Sequence, residues 1–487
     1  MIVMKKNILL ILGFCICIFP GNLKSQISLN EAVNIAISGN DCIKASDYQV
    51  EAKDYAVKSA WGKAMPKITF DFMYTHMNDE LKLDMDGIRT AMIQLQTSNQ
   101  VNFANMESLL KQSRPLTAQE QQAVMLQASQ KLDLAIPHFV ETVKQQNFPQ
   151  GIFSVSQPIF TGGKIIAGIK AAQAQRNIEE IKKSGYVEDI EFEVIQSYLN
   201  VLLAVENENV RKNAVETIAM HADRAAKMLD KGMIALHDKL RADVALSDAK
   251  RNLYEASEKK KIAVMALSSV LNNRENVLPN ENLNYRNSGI VLDSFLLLLK
   301  TNNNILKQMS SLNEVLSHKS NAEFADYMPT IFGYGFYNVF ENYFAKGLEP
   351  KWGIGIGASY TIFNGFERSN NYQQTESEIK ALKMKEKEVD RKLSLLARSN
   401  YMEMKLAEDR YLQLDADIKQ ADENLKLNQK RYETGYGTSL ELLDAQLSEQ
   451  AVELARIKAL FDYYNSYAAL CKTSGKIDRF LSFWNNH

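Results

Sequence analysis

Long apolar runs are missing from this sequence beyond its first two dozen residues. A membrane-spanning helix needs roughly 18 to 20 apolar residues, and the nearest stretch, Phe295–Leu299, is far shorter. Any insertion into a membrane must therefore be by β-barrel. Net charge is also lacking: 57 basic residues stand against 58 acidic ones. That balance excludes the basic footprint of a nucleic-acid binder and a polybasic membrane anchor. Of four cysteines, only Cys42 and Cys471 lie outside the N-terminal segment, without metal-ligand spacing and without support for a disulfide framework. His76, His138, His221, His237, His318 and His487 include no ligand-spaced pair, so no catalytic, cofactor or metal site is assigned. Nine prolines in 487 residues leave room for long uninterrupted elements, because each interior proline would break a helix or a ladder.

What is present begins with a leader. Lys5 and Lys6 precede an apolar run from Asn7 to Phe19, and Pro20 and Gly21 end it. This reads as a secretory signal peptide over residues 1–25, with cleavage near Ser25 and a mature chain from about Gln26. Cys15 follows the bulky Phe14, which argues against lipid attachment there.

An internal repeat governs the rest. Ser197–Ala204 (SYLNVLLA) is echoed by Asn400–Ala407 (NYMEMKLA), an offset of 203 that also maps Ile159–Gly163 onto Ile362–Phe366 and Gly232 with Ala242 onto Gly435 with Ala445. Upstream, Leu29, Asn40, Met65 and Pro66 map onto Leu292, Asn303, Met328 and Pro329 at an offset of 263. The chain then divides into a first repeat over 26–280, a second over 281–475 and a tail over 476–487. The change of offset places an insertion in the first repeat, at about 78–147. Each repeat reads as helix, two strands, very long helix, turn, helix.

The strands alternate with period two. Trp352, Ile354, Ile356, Ala358, Tyr360 and Ile362 share one face against Gly353, Gly355, Gly357, Ser359 and Thr361; Phe332, Tyr334 and Phe336 oppose Gly333 and Gly335; Ile68, Phe70, Phe72 and Tyr74 oppose Thr69, Asp71 and Thr75. Apolar and aromatic residues on one face with small or polar ones on the other is the pattern that lipid outside and water inside impose. The three glycines at 353, 355 and 357 are read as a water-facing strand surface rather than a phosphate loop, because no lysine or helix start follows them.

From Gly163 to Lys231 there is no proline, and Glu367 to Thr434 has neither proline nor glycine; about 67 helical residues span about 100 Å. Leu440, Leu443, Leu447, Gln450, Leu454, Ile457, Phe461 and Tyr464 then follow at alternating three- and four-residue steps, the seam of a coiled coil. Helices this long pack along other long helices. Four strands are too few to close a barrel, since the smallest membrane barrels use about eight. Three copies supply twelve strands; two supply eight.

The order of these elements resembles the TolC family of outer-membrane efflux proteins over nearly the whole mature chain. Ser28–Asn40 (SLNEAVNIAISGN), Ser156–Gly163 (SQPIFTGG) with its echo Tyr360–Gly365 (YTIFNG), and above all Arg431–Gln446 (RYETGYGTSLELLDAQ) carry the resemblance. It implies a mainly α chain with a membrane β-barrel: a long α-helical coiled-coil barrel plus a 12-stranded β-barrel shared by a homotrimer, four strands per chain. It further implies an outer-membrane channel with a large periplasmic portion, embedded in outer-membrane lipid and working with a periplasmic adaptor and an inner-membrane transporter as a passive exit duct. In this family the Arg431–Gln446 segment is the turn at the periplasmic tip, where acidic rings constrict the tube, and those positions fall on Glu441 and Asp444. Both also sit at a helix start, where a carboxylate complements the dipole. The first-repeat counterparts are Asp238 and Arg241, a base replacing one acid. Gly232, Gly435 and Gly437 are expected to supply tight turns; Gly437 stands where well-known members carry a latching arginine.

The insertion contains a capping-box pattern, Thr117 to Glu120, followed by glutamine-rich helical sequence. Lying within a barrel hairpin, it belongs at the extracellular mouth, either as a plug or shield or as a surface ornament. The rival to the channel is a soluble periplasmic coiled-coil adaptor or scaffold, against which the aromatic strand faces argue.

Overall fold

Helix starts are fixed by side chains that the sequence places at them. Ser28, Thr117 and Thr438 each accept a hydrogen bond from the backbone three residues on, and Glu31, Glu120 and Glu441 reach back to the cap backbone. These reciprocal pairs satisfy amide groups that a helix start otherwise leaves without partners. The computed structural model describes residues 25–272, 274, 277–340 and 350–485; the leader reading over residues 1–25, apart from Ser25, and His487 lie outside them.

In chain order the elements are β1 (Ser25–Ile27), α1 (Leu29–Gly39), α2 (Asp41–Gly62), β2 (Lys67–His76), β3 (Leu81–Asp84), α3 (Asp86–Gln112), α4 (Ala118–Ala135), β4 (Val140–Lys144), β5 (Asn147–Phe160), α5 (Lys164–Asp230) and α6 (Leu236–Val270). There follow β6 (Val277–Pro279), α7 (Leu292–Asn302), α8 (Asn304–Ala325), β7 (Thr330–Asn338), β8 (Trp352–Ser359), α9 (Glu367–Glu433), α10 (Ser439–Thr473) and α11 (Asp478–Asn485). The described residues are mostly helical, at 72%. Helices α1 and α7 each have 11 residues, α2 and α8 have 22, α5 and α9 have 67, and α6 and α10 have 35. No described helix is long and apolar enough to cross a membrane.

The described residues form two compact units, one within Met1–Lys58, Ile169–Ser320 and Gln373–His487 and the other within Ser59–Gly168 and Asn321–Tyr372. The first is built around aromatic side chains. Tyr198 of α5, Phe295 of α7, Tyr463 and Tyr464 of α10 and Phe480 of α11 are buried with Leu29, Leu199 and Leu299. Burying a tyrosine demands a partner for its hydroxyl. The Tyr198 hydroxyl shares its one proton between the Ile27 carbonyl at 3.0 Å and Glu281 at 2.9 Å, and the Trp484 indole donates to the same carboxylate at 2.6 Å. Cys471 is buried in this core as a free thiol, and Cys42 is an exposed one.

The α10 seam is only half used within the chain. Leu443, Gln450, Ile457 and Tyr464, one heptad position, are buried, whereas Leu440 and Leu447 of the other position are exposed and Leu454 and Phe461 half-buried. The chain's own helices cover one of the seam's two positions.

The second unit holds a four-stranded antiparallel sheet in the order β2-β5-β7-β8. Its register corrects one expectation about the faces. Phe332, Tyr334 and Phe336 lie directly opposite Gly357, Gly355 and Gly353, so the β7 aromatics share the glycine face of β8 and not its isoleucine face. Opposite residues of a ladder point to the same side, and a Cβ added to Gly353, Gly355 or Gly357 would come within 2.6, 2.8 and 2.6 Å of those rings. Bare glycine backbone is the floor on which the rings lie. One face therefore collects Lys67, Thr69, Asp71, Ser154 and Ser156 with these rings, and the other collects Ile68, Phe70, Phe153, Val155, Ile354 and Ile356.

The β2–β5 ladder continues through Met77, whose amide donates to the Gln146 carbonyl at 2.8 Å, into the β3–β4 ribbon, and Met85 donates to Phe139 at 2.9 Å. Beyond it α3 and α4 form a helical hairpin.

Candidate functional site at the helical turns

Two turns reverse the longest helices, and both are built alike. After α5, the Gly232 amide donates to the Leu229 carbonyl at 2.8 Å and Met233 to Met228 at 2.9 Å; after α9, Gly435 donates to Tyr432 at 3.2 Å and Tyr436 to Arg431 at 2.9 Å. These paired bonds satisfy the last helical carbonyls through a left-handed residue, and Gly232 at φ +68 and Gly435 at φ +79 supply it. Gly437 acts differently: its amide donates to the Arg431 carbonyl at 2.9 Å, and a Cβ there would stand 2.9 Å from the Tyr432 nitrogen. An arginine latch has no room at this position without moving the turn.

Glu441 is engaged by its own helix start. Its carboxylate accepts from the Thr438 amide at 3.0 Å, its amide donates to the Thr438 hydroxyl at 3.2 Å, and Arg431 approaches it at 3.7 Å. One of the two carboxylate oxygens thus serves the cap. Asp444, one turn further on, is exposed, as is Arg241. Asp238 is partly buried in the first turn of α6 beside His237, at 3.6 Å. Among the described residues no ion pair joins these four side chains to one another.

What does join the two turns is a set of residues that no local spacing reveals. The His221 Nε2 of α5 lies 3.0 Å from the Ser439 hydroxyl at the start of α10, and its ring meets the edge of Tyr432 at the end of α9, centroids 4.9 Å apart. One helical step on, Arg224 donates to Glu433 at 2.6 Å, and further up Arg211 donates to Gln450 at 2.7 Å. His221 is 4% exposed and Tyr432 2%. Burial, then the Arg224 charge, holds the His221 pKa below its ordinary value, and burial with the nearby Asp238 charge raises that of Tyr432. Among the described residues His221 Nδ1 and the Tyr432 hydroxyl have no hydrogen-bond partner. A neutral imidazole thus locks the first helical hairpin to the second. The only advance signal is that His221 falls in a helix near its end; its partners are about 200 residues away.

A sequence model of outer membrane efflux proteins matches residues 143–273 and 298–476. A stretch of 116 residues is 31% identical to the cobalt-zinc-cadmium resistance protein CzcC of Cupriavidus metallidurans, covering 24% of this chain and 28% of that protein's length. In fold, the chain is similar to the outer membrane channel CmeC of Campylobacter jejuni (TM-score 0.67, 14% identity, 94% of this chain and 89% of that one). It is likewise similar to the outer membrane protein VceC of Vibrio cholerae (TM-score 0.68, 13% identity, 92% and 96%).

Proposed function

We propose, from the premise that this chain belongs to the outer membrane efflux protein family, that it is one subunit of a homotrimeric duct through the outer membrane. The family is one of outer-membrane channel proteins. The observation that carries the finer reading is the sheet: β2 and β8 each present an open edge, and an open edge in hydrocarbon leaves backbone groups without partners. Pairing β8 of one copy with β2 of the next keeps every neighbour antiparallel and closes twelve strands from three chains.

In that barrel the Ile68, Phe70, Ile354 and Ile356 face meets lipid, and the Thr69, Ser154 and Ser156 face, with the β7 rings laid flat on glycine, lines the water-filled lumen. We read the chain as two structural repeats, 26–280 and 281–475, with an insertion over 78–147 and a tail from 476. The exposed half of the α10 seam, Leu440 and Leu447, is the surface a neighbouring helix would cover. The duct is passive: an inner-membrane transporter supplies energy through a periplasmic adaptor, and the helical turns form the entrance. Asp444 and the uncommitted part of the Glu441 carboxylate would attract cations there, with Asp238 and Arg241 giving the first turn a different charge.

Purification in detergent, followed by mass measurement and recording in planar bilayers, tests this. A particle of three chains that conducts ions is expected. A monomer stable in buffer without detergent would return the reading to a periplasmic scaffold.

A further inference from the structure

Helix α3 turns most of its large apolar side chains outward. On its inward side toward α4, Arg89, Thr97 and Ser108 are buried, with Ile93, Val101 and Ala104 half-buried beside them. Arg89 pairs with the Asp133 carboxylate at 2.8 Å and donates to the carbonyls of Asp133 at 2.6 Å and Ile136 at 2.9 Å, and the Ser108 hydroxyl donates to the Arg114 carbonyl at 3.0 Å. The larger apolar side chains point away. Ile88, Met92, Leu95, Phe103, Met106 and Leu110 are between 44% and 80% exposed and form one stripe, on the order of 150° around the helix from the buried residues. Amphipathic helices of folded proteins bury the apolar side, and a continuous exposed apolar stripe marks a surface that binds something.

The spacing says what geometry it suits. Ile88, Asn99 and Leu110 are eleven residues apart, as are Met92 and Phe103, and Leu95 and Met106. An eleven-residue period stays on one face of an almost straight helix, so the stripe runs about 33 Å without drifting away from a partner. It carries no charge, and its one polar member, Asn99, sits midway. A lone asparagine within an apolar seam is the feature that fixes register between like helices.

Position selects the occupant. The β3–β4 ribbon bearing α3 and α4 continues directly from β2, the strand whose open edge meets the neighbouring copy in the shared barrel. Each insertion therefore rises from a subunit boundary. A lipid surface fits the stripe less well: an interfacial helix flanks its apolar side with basic residues, whereas α3 carries only Arg89, turned into α4, and Lys111, paired with Glu107.

We propose that the α3 stripes of neighbouring copies pack against one another, so that the inserted hairpins form a shared helical cap over the mouth of the duct. This rests on the reading of the chain as a subunit of a shared barrel, and the test separates the two. In full-length protein carrying Cys42→Ser, single cysteines are placed on the stripe at Phe103→Cys and Leu110→Cys and off it at Gln94→Cys and Gln112→Cys, and each sample is sized in detergent, oxidised and treated with a short bis-maleimide. Crosslinked ladders up to three chains are expected at Phe103→Cys and Leu110→Cys and none at the other two. A three-chain particle with no stripe-specific crosslinks overturns the cap alone. Quenching of a fluorophore on Phe103→Cys by spin-labelled lipid overturns it in favour of a membrane-facing stripe, and a monomer in detergent overturns the shared barrel with it.

Discussion

The His221 imidazole and the Ser439 hydroxyl, 218 positions apart in the chain, meet at 3.0 Å where the first helical hairpin touches the second. Around the imidazole stand Tyr432 from α9, Arg224 and Glu433 as an ion pair, and Asp238 close to Tyr432 from α6. The joint holds a neutral ring, because burial and the Arg224 charge both disfavour a second proton.

That arrangement fixes a pH dependence. A group whose pKa is lowered in the packed state costs nothing while neutral in both states, and destabilises the packed state as pH falls below its free value, about 6.5 for histidine. Acidification from neutrality through pH 6 should loosen the joint, read as faster proteolysis at the 231–235 and 434–438 turns. His221→Gln keeps a hydrogen-bonding group and removes the titration, so its cleavage rate should stay level over that range. An unchanged acid response in His221→Gln would assign the effect to other groups.

The two glycines of the second turn separate backbone strain from crowding. Gly435 is left-handed with open space around a Cβ, so Gly435→Ala should cost about 1 kcal/mol. Gly437→Ala should cost more, because its Cβ meets the Tyr432 nitrogen and the Arg431 carbon, atoms that move only with the turn. Thermal unfolding and turn-specific proteolysis of the two variants should rank them in this order.

Much of this turn is legible in the sequence. Glycine at 232 and 435, a threonine three residues before Glu441, and proline-free stretches on either side announce helix, stop and start by local chemistry. The sheet's register is not local. Alternation assigns each strand two faces but not which face of β7 joins which face of β8, and the ladder sets Phe332, Tyr334 and Phe336 over glycines. Nor does the heptad pattern say that Leu440 and Leu447 stay uncovered while Leu443 and Gln450 are buried, since that depends on which helices lie alongside.

Glu441 has two roles to be told apart, and glutamine does so. A capping box accepts glutamate or glutamine, so Glu441→Gln keeps the helix start and removes the charge, whereas Glu441→Ala removes both. If the entrance selects cations by charge, Glu441→Gln with Asp444→Asn should lower cation selectivity and block by divalent ions in planar bilayers, with thermal stability unchanged. Selectivity equal to the parent's would leave Glu441 as a cap only. Glu441→Ala should lower stability by about 1 kcal/mol through loss of its bond to the cap backbone.

The glycine floor of β8 predicts a rescue. In Gly355→Ala the new Cβ lies 2.8 Å from the Tyr334 ring carbon and hydroxyl oxygen, closer than carbon atoms tolerate, so the ring must swing off the strand and give up its contact with the backbone. Loss of sheet stability follows from the ring, not from alanine's strand propensity, because Gly355 has no positive φ to protect. Trimming the ring in Tyr334→Ala forfeits the contact once, and adding Gly355→Ala to it costs nothing further, since nothing remains to clash. The double variant should therefore unfold at the temperature of Tyr334→Ala alone, a coupling that a double-mutant cycle reads directly. Additive losses would mean that the rings and the glycines act independently.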